Sequence, residues 1–456
     1  MGLNTVFKNY DELVKNSPLY KHVLEILYTG LREADPWYAV KKYVSVVDGK
    51  IIVNQRSYSG FKRVHVIGFG KASTKMAQAL YSILDNSIYG GIVIAPEPAE
   101  DIGPIKVLKG DHPYPGRNTL VSSHKMLDYL ENEVGEDDLL FVLISGGGSA
   151  LFEIPVDGLG IEEISNVTRE LMMRGADIYE LNTVRKHLSR VKGGKLLKYI
   201  RSKQVVSLII SDVIGDRIDV IASGPTAPDS TSYHDVKNIL EKYGLWREIP
   251  ERIREYVEKG VKGLVPETLK PGEQIFNRVY NLVVASNYSS LVKMRDKALE
   301  LGYNALILTP YLYGEAREVG RVIASIAWSI VDHDIPIAKP AALIAGGETT
   351  VTVKGKGLGG RNQELCLSIA LELEKLTTAS KIIFACMGSD GIDGNSPAAG
   401  AIIDNNVVRE AREKKLDPRS FLNENNSYVF FKELGRAIYT GYTGTNVNDF
   451  LISLIV

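Results

Sequence analysis

Residues 139–155 have the sequence LLFVLISGGGSALFEIP, in which an apolar run leads into a turn with three consecutive glycines. A continuous apolar run, rather than one that alternates with polar residues, is typical of a parallel β-strand covered on both faces. In open sheets of such strands, ligands bind beyond the carboxyl ends of the strands. This stretch therefore predicts a doubly wound α/β sheet and directs attention to the turns that follow its strands.

The same succession of an apolar run, a turn and an amphipathic stretch recurs along the chain. Besides residues 139–145, the predicted strands are residues 64–67, 92–95, 205–211, 282–286, 305–309, 342–345 and 381–386. The predicted helices are residues 72–84, 120–133, 161–173, 182–200, 289–301, 316–331 and 362–373. Strands that alternate with helices imply right-handed crossover connections between parallel strands. We therefore expect an α/β fold.

The length and texture of the chain predict two domains. A chain of 456 residues is too long for one typical core. Residues 229–274 are rich in charged residues and contain three prolines, and we interpret them as a charged helical segment and a linker. Residues 349–357, TTVTVKGKG, alternate Thr with Val and predict an antiparallel strand or hairpin arm, so the second sheet should be mixed. The expected domains are residues 1–270 and 271–456.

Composition and charge exclude several classes of protein. The formal net charge is -1, which gives no overall attraction to nucleic acid or anionic membranes. No apolar run approaches the roughly 18–20 residues that span a bilayer, and the first residues lack the features of a secretory signal. Cys366 and Cys386 stand in apolar runs and are predicted to be buried, reduced thiols. We expect a soluble cytoplasmic protein with no nucleic-acid or membrane partner.

The first glycine-rich turn, VIGFGKAS, covers residues 66–73. Its two glycines let the backbone approach a ligand, and the helix that follows presents free N–H groups to an anion. Lys71 adds a positive charge there, although a plain tight turn with a surface lysine would have the same sequence. The turn is not a full GxGxxG, because Ser73 occupies the sixth position, and the chain contains no P-loop.

The second turn contains Gly146, Gly147, Gly148 and Ser149. Consecutive glycines after a strand form a nest of backbone N–H groups that suits phosphate oxygens, whereas the simpler alternative is a flexible turn. The arrangement is not a GxSxG nucleophile elbow. We therefore predict that these four residues bind a nucleotide, and we predict that Ser145, just before them, contacts the substrate.

The third turn follows the strand at residues 205–211. Asp212 stands at its end, where carboxylates that bind metals or accept protons are often found, and it is a candidate catalytic residue and metal ligand. Downstream, Gly224 and Thr226 belong to the small-residue turn SGPT and are candidate nucleotide-binding residues. We interpret Asp216 and Asp219 as solvated loop charges.

A basic stretch lies between the second and third turns. Asn182 or Thr183 could cap its helix. The cationic side chains that follow are Arg185, Lys186, Lys192 and Lys195. They predict either a solvated basic helix face or, beside the GGGS turn, a collar for nucleotide phosphates, and we place Lys192 and Lys195 among the candidate nucleotide-binding residues.

The second half of the chain contributes a fourth set of candidates. Arg361 follows two glycines at the mouth of a predicted helix, where a guanidinium can bind a carboxylate or phosphate with two hydrogen bonds. Asp390 and Asp393 stand among glycines after the strand at residues 381–386 and indicate either a divalent-metal or water-positioning site, or an ordinary Asp/Gly turn.

Sites suited to anions thus outnumber all other features of the sequence. Phosphoryl transfer needs mainly positioning and positive charge around oxygens, not a covalent nucleophile. Lys71 and Arg361, from opposite halves of the chain, could hold the carboxylate of a small anionic acceptor across a cleft. The residues alone indicate a phosphate-handling α/β enzyme and leave the acceptor open.

Several motifs resemble those of the class II glycerate kinases. In the N-terminal half these are VIGFGKASTKMA, GDHPYPG, LISGGGSALFEIP, ELNTVRKHLSRVKGGKL and SDVIGDRIDVIASGPT. In the C-terminal half, IAGGETTVTVKGKGLGGRNQELCLSIA, GSDGIDGNSPAAGAI and TGYTGTNVNDFLI resemble the MOFRL domain of that family. The likeness extends over about residues 20–452 and keeps the order of the family's motifs.

The resemblance implies ATP-dependent phosphorylation of D-glycerate, usually to 2-phosphoglycerate, with Mg²⁺ or another divalent cation. It implies a Rossmann-like N-terminal domain, a smaller mixed α/β MOFRL domain and an active site in the cleft between them. The family's lysine and arginine for substrate and phosphoryl handling fall on Lys71 and Arg361, and the GGGSA and KGGK segments would face ATP. A homodimer is left open.

One motif departs from the family, and two alternative functions stay open. The family often has an aspartate after HPxP, whereas this chain continues with Gly116 and Arg117, so that the local charge is inverted. A hydroxypyruvate reductase would need a nicotinamide site, yet the GxG turn lacks its third glycine and Pro96 precedes Glu97 after the next strand. A non-catalytic nucleotide or sugar-acid sensor would bind ATP or glycerate without turnover.

Overall fold

Helices and strands alternate along residues 2–456, which are the residues described by the computed structural model. The helices are α1 (Leu3–Val6), α2 (Tyr10–Asn16), α3 (Pro18–Ala34), α4 (Pro36–Tyr43), α5 (Ser73–Leu84), α6 (Arg117–Glu133), α7 (Gly148–Leu151), α8 (Ile161–Met173), α9 (Ile178–Leu188), α10 (Tyr233–Lys242), α11 (Glu251–Val261), α12 (Asn287–Glu300), α13 (Ala316–His333), α14 (Arg361–Leu373), α15 (Val407–Glu413), α16 (Pro418–Asn423) and α17 (Ser427–Glu433).

The strands are β1 (Val44–Val47), β2 (Lys50–Val53), β3 (Arg56–Tyr58), β4 (Val64–Phe69), β5 (Ile88–Ala95), β6 (Ile105–Lys109), β7 (Leu139–Ile144), β8 (Gln204–Ile210), β9 (Val279–Ala285), β10 (Asn304–Glu315), β11 (Ala341–Thr350), β12 (Ile382–Gly388), β13 (Gly400–Asp404), β14 (Ala437–Ile438) and β15 (Asp449–Ile455). Short 3-10 helices cover Asp85–Ser87, Lys195–Tyr199, Ile221–Ser223 and Gln274–Arg278. The chain folds into two compact units, Pro36–Val284 and residues 2–35 with Ala285–Val456.

The unit Pro36–Val284 contains a six-stranded sheet in the order β6-β5-β4-β7-β8-β9. The pairs from β6 to β8 are parallel. Every residue of β4 and β7 is buried, as the continuous apolar runs predict for strands covered on both faces. Some residues of these strands, such as Ile67 and Val142, share a hydrophobic core with α6. The residues next to them along each strand, such as Val66 and Leu143, are also fully buried. The turns after β4, β7 and β8 therefore meet at one edge of this sheet.

The other unit contains a mixed six-stranded sheet in the order β10-β11-β15-β12-β13-β14. Strands β10 and β11 are parallel, and the remaining pairs are antiparallel. Helices α13 and α14 share its main hydrophobic core with the sheet. Helix α3 packs on α12 at Gly30, where a Cβ would lie 2.7 Å from Met294 Sδ, so a larger residue there would separate the two helices.

The α/β architecture and the mixed second sheet are confirmed, but several local expectations were wrong. The predicted helix at residues 182–200 ends at Leu188, because Ser189 is extended, with φ -110° and ψ 148°. Gly193 and Gly194 then turn the chain with positive φ. Its N-cap is Asp177, whose carboxylate accepts from Tyr179 N and Glu180 N, rather than Asn182 or Thr183. Residues 349–350 end β11, which pairs in parallel with β10, and no strand covers 351–357.

The division into units also differs from the expected one at residue 270. Helices α1–α3 join the C-terminal sheet, and residues 229–274 are not a linker but belong to Pro36–Val284, where α10 and α11 pack with α8 and α9. Cys366 and Cys386 are buried free thiols, as predicted. None of the helices within residues 2–456 combines the length and the apolar character needed to cross a bilayer.

Candidate active site

The turn after β4 holds Lys71 against the turn after β7. Gly70 has φ +125°, and a Cβ on it would lie 2.2 Å from Ser145 Oγ, so only glycine fits there. Lys71 N donates to Gly146 O over 2.9 Å, and Ala72 N donates to Ser145 Oγ over 3.0 Å. Ser145 thus fixes the Lys71 turn. The Lys71 side chain is exposed, and its ammonium makes no hydrogen bond or ion pair with any other residue in the range 2–456.

Three polar side chains surround the glycines after β7. A Cβ on Gly147 would lie 3.0 Å from the His112 ring and 3.3 Å from Lys71 Cγ, and a Cβ on Gly146 would lie 2.3 Å from Asp212 Oδ2. Partial burial and the charge of Lys71 lower the pKa of His112 to about 4, so its ring is neutral at pH 7. His112 belongs to the GDHPYPG motif of another loop and was not among the predicted site residues.

The backbone of this turn offers free donors. Among the residues that the structure describes, none accepts a hydrogen bond from the backbone N–H groups of Gly146, Gly147 or Ser149. Gly147 has φ +79°, which only glycine adopts without strain. Gly148 N instead donates to Ser145 O over 3.2 Å and closes the turn. Unpaired N–H groups next to the side chain of a lysine are a combination suited to an anion.

A chain of hydroxyl groups links the β7 turn to two other motifs. Ser149 Oγ and Ser223 Oγ are 2.8 Å apart, and Ser223 Oγ donates to Asn182 Oδ1 over 2.8 Å. Ser223 adopts φ +62°, a strained conformation for a non-glycine residue that often marks functional sites. Gly194 N donates to Gly224 O over 2.8 Å, so the KGGK and SGPT motifs pack together.

The basic stretch is not a solvated helix face, which was one of the two alternatives that the sequence left open. Lys186 pairs with Asp229 over 3.2 Å, and Lys192 pairs with Glu153 over 2.8 Å, both away from solvent. Lys192 Nζ also donates to Phe152 O, so its ammonium is enclosed rather than presented to a ligand. A further candidate, Thr226, is buried as well: its Oγ1 donates to Asn281 Oδ1 over 2.8 Å and accepts from Ser207 Oγ over 3.2 Å.

Lys195 is also buried, and its protonation should be visible in the pH dependence of stability. Burial lowers its pKa to about 7, whereas the unfolded chain keeps a pKa near 10.4. Between these values the unfolded state binds the proton more tightly, so stability rises with pH. We expect this residue to add about 2 kcal/mol to the free energy of unfolding between pH 7 and 9.

Urea unfolding at both pH values would measure this gain in the parent, in Lys195→Met and in Lys198→Met. Lys198 is exposed on the same 3-10 helix and is the control. The gain should be lost in Lys195→Met and kept in Lys198→Met. An equal gain in all three proteins would contradict a buried, readily deprotonated Lys195.

In the other unit, Arg361 is the first residue of α14 and its guanidinium is held by two carboxylates. Arg361 Nε donates to Asp449 Oδ2 over 2.6 Å and Nη2 to Asp449 Oδ1 over 3.1 Å. Nη1 donates to Glu348 Oε1 over 2.7 Å. Sequence reasoning found Arg361 but neither carboxylate; the only signal for Asp449 was its place in the NVND segment of the family's tail.

The two acidic candidates after β12 have different surroundings. Asp393 is buried and accepts from Asn362 N over 3.1 Å and Gln363 N over 2.9 Å, so it caps α14 rather than facing a ligand. Burial raises the pKa of Asp393 to about 7. Asp390 is partly exposed, and its Oδ1 accepts from Ile392 N over 3.2 Å.

The candidate metal ligands form no ready-made metal cage. Across residues 2–456, no group of three or more His, Cys, Asp or Glu side chains could hold a metal ion. Mg²⁺ is usually held by one or two carboxylates together with substrate phosphates. Asp212, whose carboxylate lies against Gly146 of the turn after β7, fits that pattern.

Comparisons with known proteins identify the family of this chain. Residues 22–258 match the model described as a domain of unknown function, DUF4147, and residues 341–449 match the MOFRL family. The chain is 42% identical to the glycerate 2-kinase of Pyrococcus horikoshii, over 95% of this chain and 96% of the relative. It is 43% identical to the D-glycerate 2-kinase of Thermotoga maritima, over 96% of this chain and 99% of the relative.

A third relative bears another name, and a solved structure supports the fold. The protein of Agrobacterium vitis named "Putative hydroxypyruvate reductase" is 39% identical over 90% of this chain and 92% of its own length. The crystal structure of the Thermotoga maritima glycerate kinase superposes with a TM-score of 0.83 and 38% identity, covering 96% of this chain and 100% of that one. The resemblance seen in the sequence motifs is thereby confirmed: the chain belongs to the family of glycerate 2-kinases with a MOFRL domain.

Proposed function

We propose that this protein transfers the γ-phosphoryl group of ATP to the 2-hydroxyl of D-glycerate, giving 2-phosphoglycerate and ADP. The names of its relatives support glycerate as the acceptor. The observation that carries the phosphoryl part is the β7 turn, where backbone N–H groups lie next to the Lys71 side chain, and neither they nor its ammonium have a partner among residues 2–456. The proposal includes a cytoplasmic location and no nucleic-acid or membrane partner.

In this proposal the turns of one unit handle phosphate. The backbone of Gly146, Gly147 and Ser149 donates to phosphate oxygens, and Lys71 neutralises the charge that develops on the transferred group. A divalent cation such as Mg²⁺ would be held by Asp212 and by the nucleotide, and would supply further positive charge. Lys192 and Thr226 are enclosed by their partners. In this proposal they hold the loops in place and do not contact the nucleotide.

Arg361 serves the acceptor in the same proposal. A guanidinium binds a carboxylate with two parallel hydrogen bonds, and glycerate presents one carboxylate. Arg361 would bind that carboxylate of D-glycerate with its guanidinium. The reaction needs no covalent intermediate on the protein, because positioning and charge stabilisation suffice for phosphoryl transfer.

A two-arm product assay tests the proposal. Purified protein is given Mg-ATP and D-glycerate, and enolase, pyruvate kinase and lactate dehydrogenase follow product as loss of NADH, with and without phosphoglycerate mutase. Equal signals in both arms are the expected result and mean 2-phosphoglycerate. Signal only with mutase would mean 3-phosphoglycerate and would overturn the regiochemistry, and silence in both arms would overturn the kinase.

The Agrobacterium vitis relative makes hydroxypyruvate reduction the second candidate. Such an enzyme would need a nicotinamide site, but the turn after β4 has Ser73 in place of the third glycine, with its Oγ donating to Gly70 O over 2.7 Å. Loss of NADH with hydroxypyruvate, in the absence of ATP and coupling enzymes, would favour the reductase. We expect none.

A further inference from the structure

Two carboxylates hold the guanidinium of Arg361 in one orientation, and they use only some of its N–H donors. Asp449 takes Nε and Nη2 with its two oxygens, over 2.6 and 3.1 Å, and Glu348 takes one N–H of Nη1 over 2.7 Å. An arginine side chain has five N–H donors, so three are used and one remains on each Nη atom. Two donors on neighbouring nitrogens are what a second carboxylate needs for two parallel hydrogen bonds.

Asp449 reaches Arg361 because its neighbours on both sides lack side chains. It begins β15 and is paired with Gly347 of β11 and Gly388 of β12. Asn287 Nδ2 donates to Asp449 O over 3.0 Å and fixes its backbone. Only 10% of the Asp449 side chain is exposed, against 45% for Glu348, so Asp449 is the more rigid of the two partners of Arg361.

The backbone at Arg361 is held in place by contacts that do not involve its guanidinium. The carboxylate of Asp393 accepts from the N–H groups of Asn362 and Gln363, the two residues that follow Arg361. A helix start capped in this way has little freedom to rotate. The orientation of the guanidinium is then decided by Asp449, which holds two of its three nitrogens.

We infer that Asp449 is the positioning residue that aims Arg361 at the carboxylate of the acceptor. The inference rests on the proposed function for the identity of that acceptor. Both side-chain oxygens of Asp449 accept hydrogen bonds from Arg361, and Asp449 itself does not bind the substrate. Misplacing a binding group by about 1 Å can cost about 100-fold in rate. Removing the Asp449 partner of Arg361 should therefore have a large effect on the kinetics.

Kinetics of Asp449→Asn test the inference. The substitution keeps the shape of the side chain but removes its charge and turns one acceptor into a donor that faces the guanidinium. We expect the KM for D-glycerate to rise ten- to a hundredfold, with the KM for ATP unchanged within about twofold. A purely structural role would not separate the two substrates. Asp449→Ser fits the same small space and gives the same test if the first variant does not fold.

Asp404→Asn is the matched control. Asp404 also pairs with an arginine of the same unit, because Arg436 Nη1 donates to Asp404 Oδ2 over 3.2 Å. Neither residue of that pair belongs to the proposed machinery. We expect the Asp404→Asn variant to keep both KM values within about twofold, although its thermal midpoint falls.

Spectroscopy separates failure of this inference from failure of the proposed function. The Nε–H signal of Arg361 in ¹⁵N NMR spectra, identified by its absence in Arg361→Lys, should be present in the parent and lost in Asp449→Asn. If the parent does not turn over glycerate while this signal is lost as expected, the proposed function fails and the positioning stands. An unchanged signal in Asp449→Asn, or equal shifts of both KM values, would overturn the positioning.

Discussion

Lys71→Met is expected to lower kcat for glycerate phosphorylation by about 10²–10³-fold without unfolding the protein, a loss typical of removing one preorganised electrostatic group. The ammonium is exposed and unpaired among residues 2–456, so its removal breaks no ion pair. Methionine keeps the apolar stem that lies along Gly147. The charge removed is the one that would stabilise the transferred phosphoryl group. Steady-state kinetics with saturating Mg-ATP and D-glycerate would measure the change.

Lys62→Met is the matched control for this prediction. Lys62 lies just before β4 and Lys71 just after it, and both side chains are exposed. Of these two lysines, only Lys71 lies at the sheet edge that carries the turn after β7, so we expect Lys62→Met to keep kcat within about twofold. If both variants kept the parent's kcat, Lys71 would be an ordinary surface lysine.

The parallel sheet could be predicted from the sequence because its signal is local. A strand covered on both faces is mostly apolar, and β4, β7 and β8 carry such a run within six or seven residues, interrupted only by His65 in β4 and by Gln204 and Ser207 in β8. Helix α8, Ile161–Met173, matches the prediction for residues 161–173 because its amphipathic period is complete within the helix. The glycine-rich turns could be predicted for the same reason, because each directly follows such a strand in the sequence.

The partners of the charged residues could not be predicted in this way. Lys186 and Lys192 have the sequence of a solvated basic face, yet their partners Asp229 and Glu153 lie 43 and 39 positions away along the chain. Nothing local distinguishes a lysine that will be buried with a distant carboxylate from one that stays in water. The Asp449 partner of Arg361 is 88 positions away, and was missed for the same reason.

The place of the N-terminal helices depends on equally long-range contacts. Thr445 Oγ1 donates to Ala34 O over 2.6 Å, and Tyr20 OH donates to Asp404 Oδ2 over 3.0 Å, joining α3 to the last third of the chain. Arg436 also donates to Tyr20 OH. A domain boundary drawn from composition at residue 270 could not anticipate helices that leave one half of the sequence and pack with the other.

The buried pair of Lys192 and Glu153 gives the largest expected effect on stability. Both side chains are 1% exposed, with 2.8 Å between Nζ and Oε2, and Glu153 Oε1 has no hydrogen-bond partner in the part of the chain that is described. Burial lowers the pKa of Lys192. Lys192→Met removes the ion-pair partner of the buried Glu153 carboxylate, and breaking such a pair costs about 3–5 kcal/mol. We expect urea unfolding to show a loss of that size.

The double variant Lys192→Met with Glu153→Gln decides whether Lys192 is structural or a nucleotide ligand. Removing both charges eliminates the unpaired buried ion, so most of the lost stability should return, apart from about 1 kcal/mol for the donor that Phe152 O loses. Lys62→Met is again the control, because the Lys62–Asp137 pair is as short, 2.9 Å, but exposed, and exposed pairs contribute at most about 1 kcal/mol. The KM for ATP of the double variant should stay within about threefold of the parent's. A stable double variant with a KM for ATP raised tenfold or more would instead mean that Lys192 leaves Glu153 to bind the nucleotide.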